Sequence, residues 1–158
     1  MSIGRVYTVV FEKVACAAVQ DLFQIKGATG KILLIRSVAL SCVDATLPTA
    51  GMLALRCRFL PATVTDGSGG STPTPQKQDP GDAAASFTAL ANSTTPATTS
   101  GTAVKLLEDG THVYAGYRYD FLKAPVVGPS ESFVFELITA PAASSTLNGT
   151  VVVEELGG

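Results

Sequence analysis

The sequence predicts an all-β chain: an antiparallel β-sandwich, jelly-roll-like, of about eight or nine strands with one long Gly/Ser/Thr/Pro-rich excursion. Three observations carry this. Short runs rich in β-branched and aromatic residues recur along the 158-residue chain, Gly and Pro turns separate them, and no helical period persists for any length. A chain of this size can bury a core of its own, so residues 1–158 are read as a single domain.

Taken in order, 5–11 and 14–25 read as the first strands, because Val, Tyr, Thr, Phe and Ile dominate them. The turn at 27–30 precedes Lys31 to Leu40, whose unbroken hydrophobicity predicts a central strand covered on both faces. A break from Leu47-Pro48 to Gly51 follows. In 52–59 the residues Leu53, Leu55, Cys57 and Phe59 share one face, with Ala54, Arg56 and Arg58 on the other. A helix over 51–59 is the competing reading, but Pro48 and Pro61 bracket it tightly. Composition changes at Pro61. From there to 102 lies a long loop or arm of Gly, Ser, Thr, Ala and Pro, interrupted by one apolar island at 86–90 that is read as a short strand. A loop of that length in a compact domain is either a mobile surface loop or an arm that orders on a neighbouring subunit. Strands resume at 103–107 and 113–121, with Glu108-Asp-Gly110 as the hairpin turn between them, then at 132–139 and 147–155. Glu154 and Glu155 close the last strand, where like charges discourage edge pairing.

Charge excludes several functions. Eleven basic residues against 13 acidic give a net charge of −2, and charged residues make up 15% of the chain against an average of about 25%. A nucleic-acid partner calls for clustered Lys and Arg, so none is expected. No membrane partner is expected either, since no run approaches the roughly 18 apolar residues a spanning helix needs. The N-terminal stretch lacks the pattern of a secretory signal, which predicts synthesis in the cytoplasm.

The chemistry-bearing residue types are sparse. Gly27-Ala-Thr-Gly30-Lys31-Ile32 is too short for a phosphate loop and carries Ile where a hydroxyl is required, so it is read as a hairpin turn. His112 is the single histidine and sits without a nucleophile signature, and three separated cysteines with one histidine do not make a zinc site. The acidic pairs Glu108/Asp109 and Asp79/Asp82 are read as turn residues. No catalytic residue, cofactor or metal is therefore assigned, and the chain is read as a non-enzyme. Cys16, Cys42 and Cys57, odd in number and set among apolar neighbours, are read as buried reduced thiols. Tyr117, Tyr119 and Phe121 share a strand face, the pattern of a sheet core or a subunit contact.

Several stretches together resemble a family of small proteins encoded by tailed bacteriophages: Gly4-Arg-Val-Tyr-Thr-Val-Val-Phe11, Gln20-Asp-Leu-Phe-Gln-Ile25, Gly67-Ser-Gly-Gly-Ser-Thr-Pro-Thr-Pro75, Asp79-Pro-Gly-Asp-Ala-Ala-Ala-Ser-Phe-Thr-Ala89 and Gly149-Thr-Val-Val-Val-Glu154. The resemblance spans nearly the whole chain. It implies a virion structural protein, an auxiliary head protein that decorates or cements the capsid shell, made in the bacterial host cytoplasm and carried on the virion surface. The major capsid protein and further copies of the chain, as a dimer or trimer, are its expected partners. Candidate contact residues are Arg5, Asp66, Ser68, Thr72, Pro73, Pro75, Lys77, Asp79, Tyr114 and Tyr117. The alternative is a carbohydrate- or receptor-binding module of a tail or head fibre, which needs Tyr114 and Tyr117 exposed.

Overall fold

The computed structural model describes residues 4–46 and 51–157, and within them every regular element is a strand. The longer strands are β1 (Gly4–Cys16), β2 (Gln20–Lys26), β3 (Ile32–Cys42), β4 (Met52–Leu60), β7 (Thr88–Ser93), β9 (Val104–His112), β10 (Tyr117–Asp120), β12 (Ser132–Leu137) and β13 (Ser145–Leu156). Four two-residue strands complete the set: β5 (Val64–Thr65), β6 (Gln76–Lys77), β8 (Thr98–Thr99) and β11 (Val126–Val127). The described strands thus number 13, against the eight or nine expected, because brief ladders form where the sequence reads only as loop.

Sheet A runs β10-β3-β13-β1-β6, with β11 also on β3, and sheet B runs β7-β2-β12-β4-β9. All these pairings are antiparallel. The two sheets share one core in a sandwich-like arrangement. Strict alternation along β13 aims Leu147, Val151 and Val153 inward beside Val9, Ile35 and Val38, and sheet B answers with Phe23, Leu55, Cys57, Phe133 and Phe135. Aromatic rings bridge the layers: Phe11 lies 5.0 Å from Phe23, and Phe121 stands edge-on to Phe133 at 5.9 Å.

Several expectations are corrected. The run 14–25 is two strands, since β1 continues to Cys16 and the chain breaks at 17–19. Between Phe11 and Val14 the register slips, with Lys13 at φ 51° donating its N–H to Asn148 Oδ1 at 2.8 Å. Glu108-Asp-Gly110 is not a turn. It lies inside β9, opposite Arg56, Leu55 and Ala54, and the chain reverses instead at 113–116, where Gly116 takes φ 69°. β9 and β10 therefore belong to different sheets and form no hairpin. The short strand expected at 86–90 is β7, shifted to Thr88–Ser93. In β4 the alternation holds through Cys57, but Phe59 is half-buried and Leu60 joins a small second cluster with Ala97 and Val134. The break expected at Leu47-Pro48 lies outside the described residues.

Most consequential is β3. It is interior in sheet A, yet among the described residues its outward Leu34 and Ala39 are only half-buried; the strands buried on both faces are β2 and β12 of sheet B.

Candidate functional site

The excursion 61–102 is neither a mobile loop nor a detached arm, because the chain's own hydrogen bonds pin it down its length. β5 pairs with β8, Ser68 and Thr95 exchange two backbone bonds of 3.0 Å, and Ser71 and Ala91 exchange bonds of 2.8 and 2.9 Å. β6 adds to the edge of β1 at Tyr7 and Thr8, and Gln78 continues the contact by donating to Val6 O at 3.0 Å. Gly70 makes one crossing possible: a Cβ there would sit 2.1 Å from Ala91 O, so only glycine lets the two backbones approach. Within the excursion β6 edges sheet A and β7 edges sheet B, and the limbs around Asp66 and Ala97 form a flap against the outer face of sheet B.

Beneath the flap lies a row of buried charges. Asp21 on β2 and Glu136 on β12 are cross-strand partners, and Arg56 and Arg58 stand beside them on β4. Arg58 Nη2 lies 3.1 Å from Glu136 Oε2 and 3.6 Å from Asp21 Oδ1, and Arg56 Nε donates to Glu136 Oε1. Arg58 also donates to Ala97 O at 3.0 Å, while Ala97 N donates to Asp21 Oδ2 at 2.6 Å, so the return limb of the flap is tied to both signs of charge. Asp21 and Glu136 are buried, and burial, reinforced by the Glu136 charge, raises the Asp21 pKa well above the ordinary carboxylate range. Further along, Gln24 Nε2 donates to Asp66 Oδ1 at 2.9 Å, Gly67 N donates to Gln24 Oε1 at 3.0 Å, and Lys26 pairs with Asp66. This set holds the flap shut. Sequence reasoning missed Asp21 and Glu136 as functional positions; the available signal was single charges inside apolar strands, which a folded chain must pair.

A second polar group closes one end of the core. Glu155 is buried and core-facing, not an edge charge: β13 is central, and the carboxylate accepts from Ser86 N at 2.8 Å and Ser86 Oγ at 3.2 Å. Tyr7 OH donates to Ala83 O at 3.0 Å; burial, then the Glu155 charge, pushes its pKa up. Arg5 stands 3.9 Å from Asp82, and Lys77 Nζ donates to Asp82 O at 2.8 Å.

The candidate contacts divide accordingly. Ser68, Thr72, Lys77 and Asp79 form an exposed rim along the flap, with Pro73 and Pro75 half-buried among them. Arg5 and Lys77 meet at the Asp82 end, and Asp66 is engaged by Lys26 and Gln24. Tyr114 is exposed, its ring 4.7 Å from His112. Tyr117 is half-buried: its ring packs on Phe135 at 6.1 Å and its hydroxyl is buried without a hydrogen-bond partner. Burial, with the nearby Asp109 charge, raises its pKa. All three cysteines are free thiols. Burial lifts Cys16 to about 11 and Cys57 to about 12, whereas Cys42 is half-buried and donates to Asp44 Oδ2 at 3.2 Å. Comparison with protein-family models, curated proteins and solved structures gives no match.

Proposed function

We propose that this chain is a non-enzymatic structural protein of a tailed-bacteriophage virion that binds the outside of the capsid shell and stabilises it through many modest subunit contacts. The observation that carries the reading is strand order. With the two-residue strands and β7 set aside, β1-β13-β3-β10 faces β2-β12-β4-β9, which is the order of two interleaved Greek keys in an eight-stranded jelly roll. That architecture serves capsid and lectin domains, and the sequence resemblance to small phage proteins favours the first. The flap fits such a role: its ties to sheet B hold the rim Ser68–Thr72–Lys77–Asp79 in one shape before it meets a partner, which lowers the ordering cost of each contact. Repetition over a shell turns modest affinities into stable occupancy. The fibre-type sugar-binding alternative is weaker, because it requires Tyr114 and Tyr117 side by side at the surface and Tyr117 is turned into the core.

The test is co-sedimentation of the purified chain with bare expanded capsids of the phage that encodes it. Saturable, symmetric occupancy is expected, with at least tenfold weaker binding for the rim double variant Ser68→Arg/Thr72→Arg. No binding by the wild-type chain, or undiminished binding by the variant, overturns the reading.

A further inference from the structure

One carboxylate oxygen in the buried row has no donor. Asp21 is 0% exposed and Glu136 2%, and the register of β2 and β12 sets the two residues side by side. Both oxygens of Glu136 are met, Oε1 by Arg56 Nε and Oε2 by Arg58 Nη2 at 3.1 Å. Asp21 is met on one only. Its Oδ2 accepts from Ala97 N at 2.6 Å, while Oδ1 is buried without a hydrogen bond and Arg58 Nη2 stands off at 3.6 Å. An ionised oxygen closed off from water and lacking a donor is unfavourable, and a second carboxylate beside it adds repulsion. A proton on Oδ1 removes both penalties: it neutralises Asp21 and supplies an O–H that donates to Glu136.

The groups around Asp21 come from every neighbouring element. Glu136 lies on β12 and Arg58 on β4, Arg56 stands against Glu136, and Glu108 and Lys105 of β9 follow beyond Arg56. β7 presents Ser93, opposite Asp21 in register, and Lys26, further along β2, is paired with Asp66. The flap contributes the Ala97 limb, whose N–H and C=O bridge Asp21 and Arg58 and whose residue Ala97 packs with Leu60 and Val134. Strands β7, β2, β12 and β4 are knit by ladders of five or more register pairs, whereas the limb is held by those two bonds, the Ser68–Thr95 bridge and the two-residue ladder of β5 with β8. Of the segments covering Asp21, the limb is therefore the one that lifts at least cost. We infer that the Ala97 limb is a proton-controlled latch, closed over Asp21 while the Asp21–Glu136 pair holds a proton and lifting when that proton leaves. Because Thr95 exchanges backbone bonds with Ser68, the movement carries to the exposed rim of the flap. The pH window follows from linkage. Burial, with the Glu136 charge, raises Asp21 to about 7 when the limb is closed, and water returns it toward its ordinary 3.8 when the limb lifts. The closed state thus binds the extra proton, so opening grows as pH rises from about 4 to about 7 and is level above that. The inference does not rest on the shell-binding reading, and its test needs no capsid.

Native-state amide exchange of the full chain, read residue by residue by NMR and corrected for the intrinsic pH dependence of exchange, tests the latch. Protection at Ala97 should fall at least tenfold between about pH 5 and about pH 7 and level off above. Low concentrations of urea should leave that exchange unchanged, which marks a local opening, while the amides of Phe135 and Val151 exchange by urea-sensitive global unfolding. Asp21→Asn keeps an acceptor for Ala97 N and offers an N–H where the protonated acid offers its O–H, so in this variant Ala97 protection should not vary with pH. Should that variant fail to fold, the side-chain carboxyl carbon of Asp21 in the wild-type chain is followed instead, and it should titrate where Ala97 protection levels off. Flat Ala97 protection in the wild-type chain overturns the inference, as does the same pH dependence in Asp21→Asn. Exchange at Ala97 as sensitive to urea as that of the core, or an Asp21 carboxyl that titrates below about pH 5, overturns it as well.

Discussion

The two outer faces of this molecule are covered differently by its own chain. The face bearing Asp21 and Arg58 is met by the flap at Ala97, whereas on the outer face of sheet A Val6, Leu34 and Val152 are half-buried and Val10 is exposed. The reason lies in directionality. A polar flap can be held down only by groups that accept and donate hydrogen bonds at fixed places, which sheet B supplies through Asp21, Arg58 and Gln24. A Val-rich face offers no such anchors to a Ser/Thr/Gly segment. The loop thus settles where directional hydrogen bonds can hold it.

The largest expected effect tests whether the roofed charges act as one unit. Glu136→Ala leaves Arg58 and Arg56 without their shared buried carboxylate, and should destabilise the fold by about 3–5 kcal/mol in urea unfolding. A loss below about 1 kcal/mol would mean that water already reaches the row and that the two faces differ less than the geometry indicates. The next effect is a pH dependence. Burial raises Asp21 from 3.8 to about 7 in the folded state, so its contribution is fully present below about pH 4 and is lost as pH rises through 7. Asp21→Asn keeps an acceptor for Ala97 N and removes that titration; relative to wild type it should gain about 1–3 kcal/mol between pH 4 and pH 8. Parallel stability curves for the two proteins would refute this. The smallest effect belongs to the outer face of sheet A: Val152→Thr should change the stability of the chain by less than about 0.5 kcal/mol in urea unfolding. A larger loss would show that Val152 is closely packed within the chain.

Much of the fold was legible because strand periodicity is a local property. The alternation in 52–59 put Leu53, Leu55 and Cys57 on one face without knowledge of their neighbours, and all three lie in the core. Glu108-Asp-Gly110 misled because its turn propensity is weak beside the ladder to β4 and the ion pairs of Glu108 with Arg56 and Lys105. For Tyr117, alternation gives which residues share its face but not how far that face is filled. The same ambiguity governed Lys31 to Leu40. Its continuous hydrophobicity called for cover on both sides, and among the described residues Leu34 and Ala39 on one side of β3 are only half-buried.

By itself, then, the sequence determined the class of structure, the shared inward face of Leu53, Leu55 and Cys57 and the extent of the polar excursion, all of which follow from the two-residue period of a strand and from breaks in composition. Only the tertiary structure decided that the excursion folds back on its own chain, that Asp21, Glu136 and Arg58 meet beneath it, and which sheet face the flap meets. These depend on pairings between residues 20 to 115 positions apart, and such contacts are fixed by the packing of whole sheets rather than by any local preference.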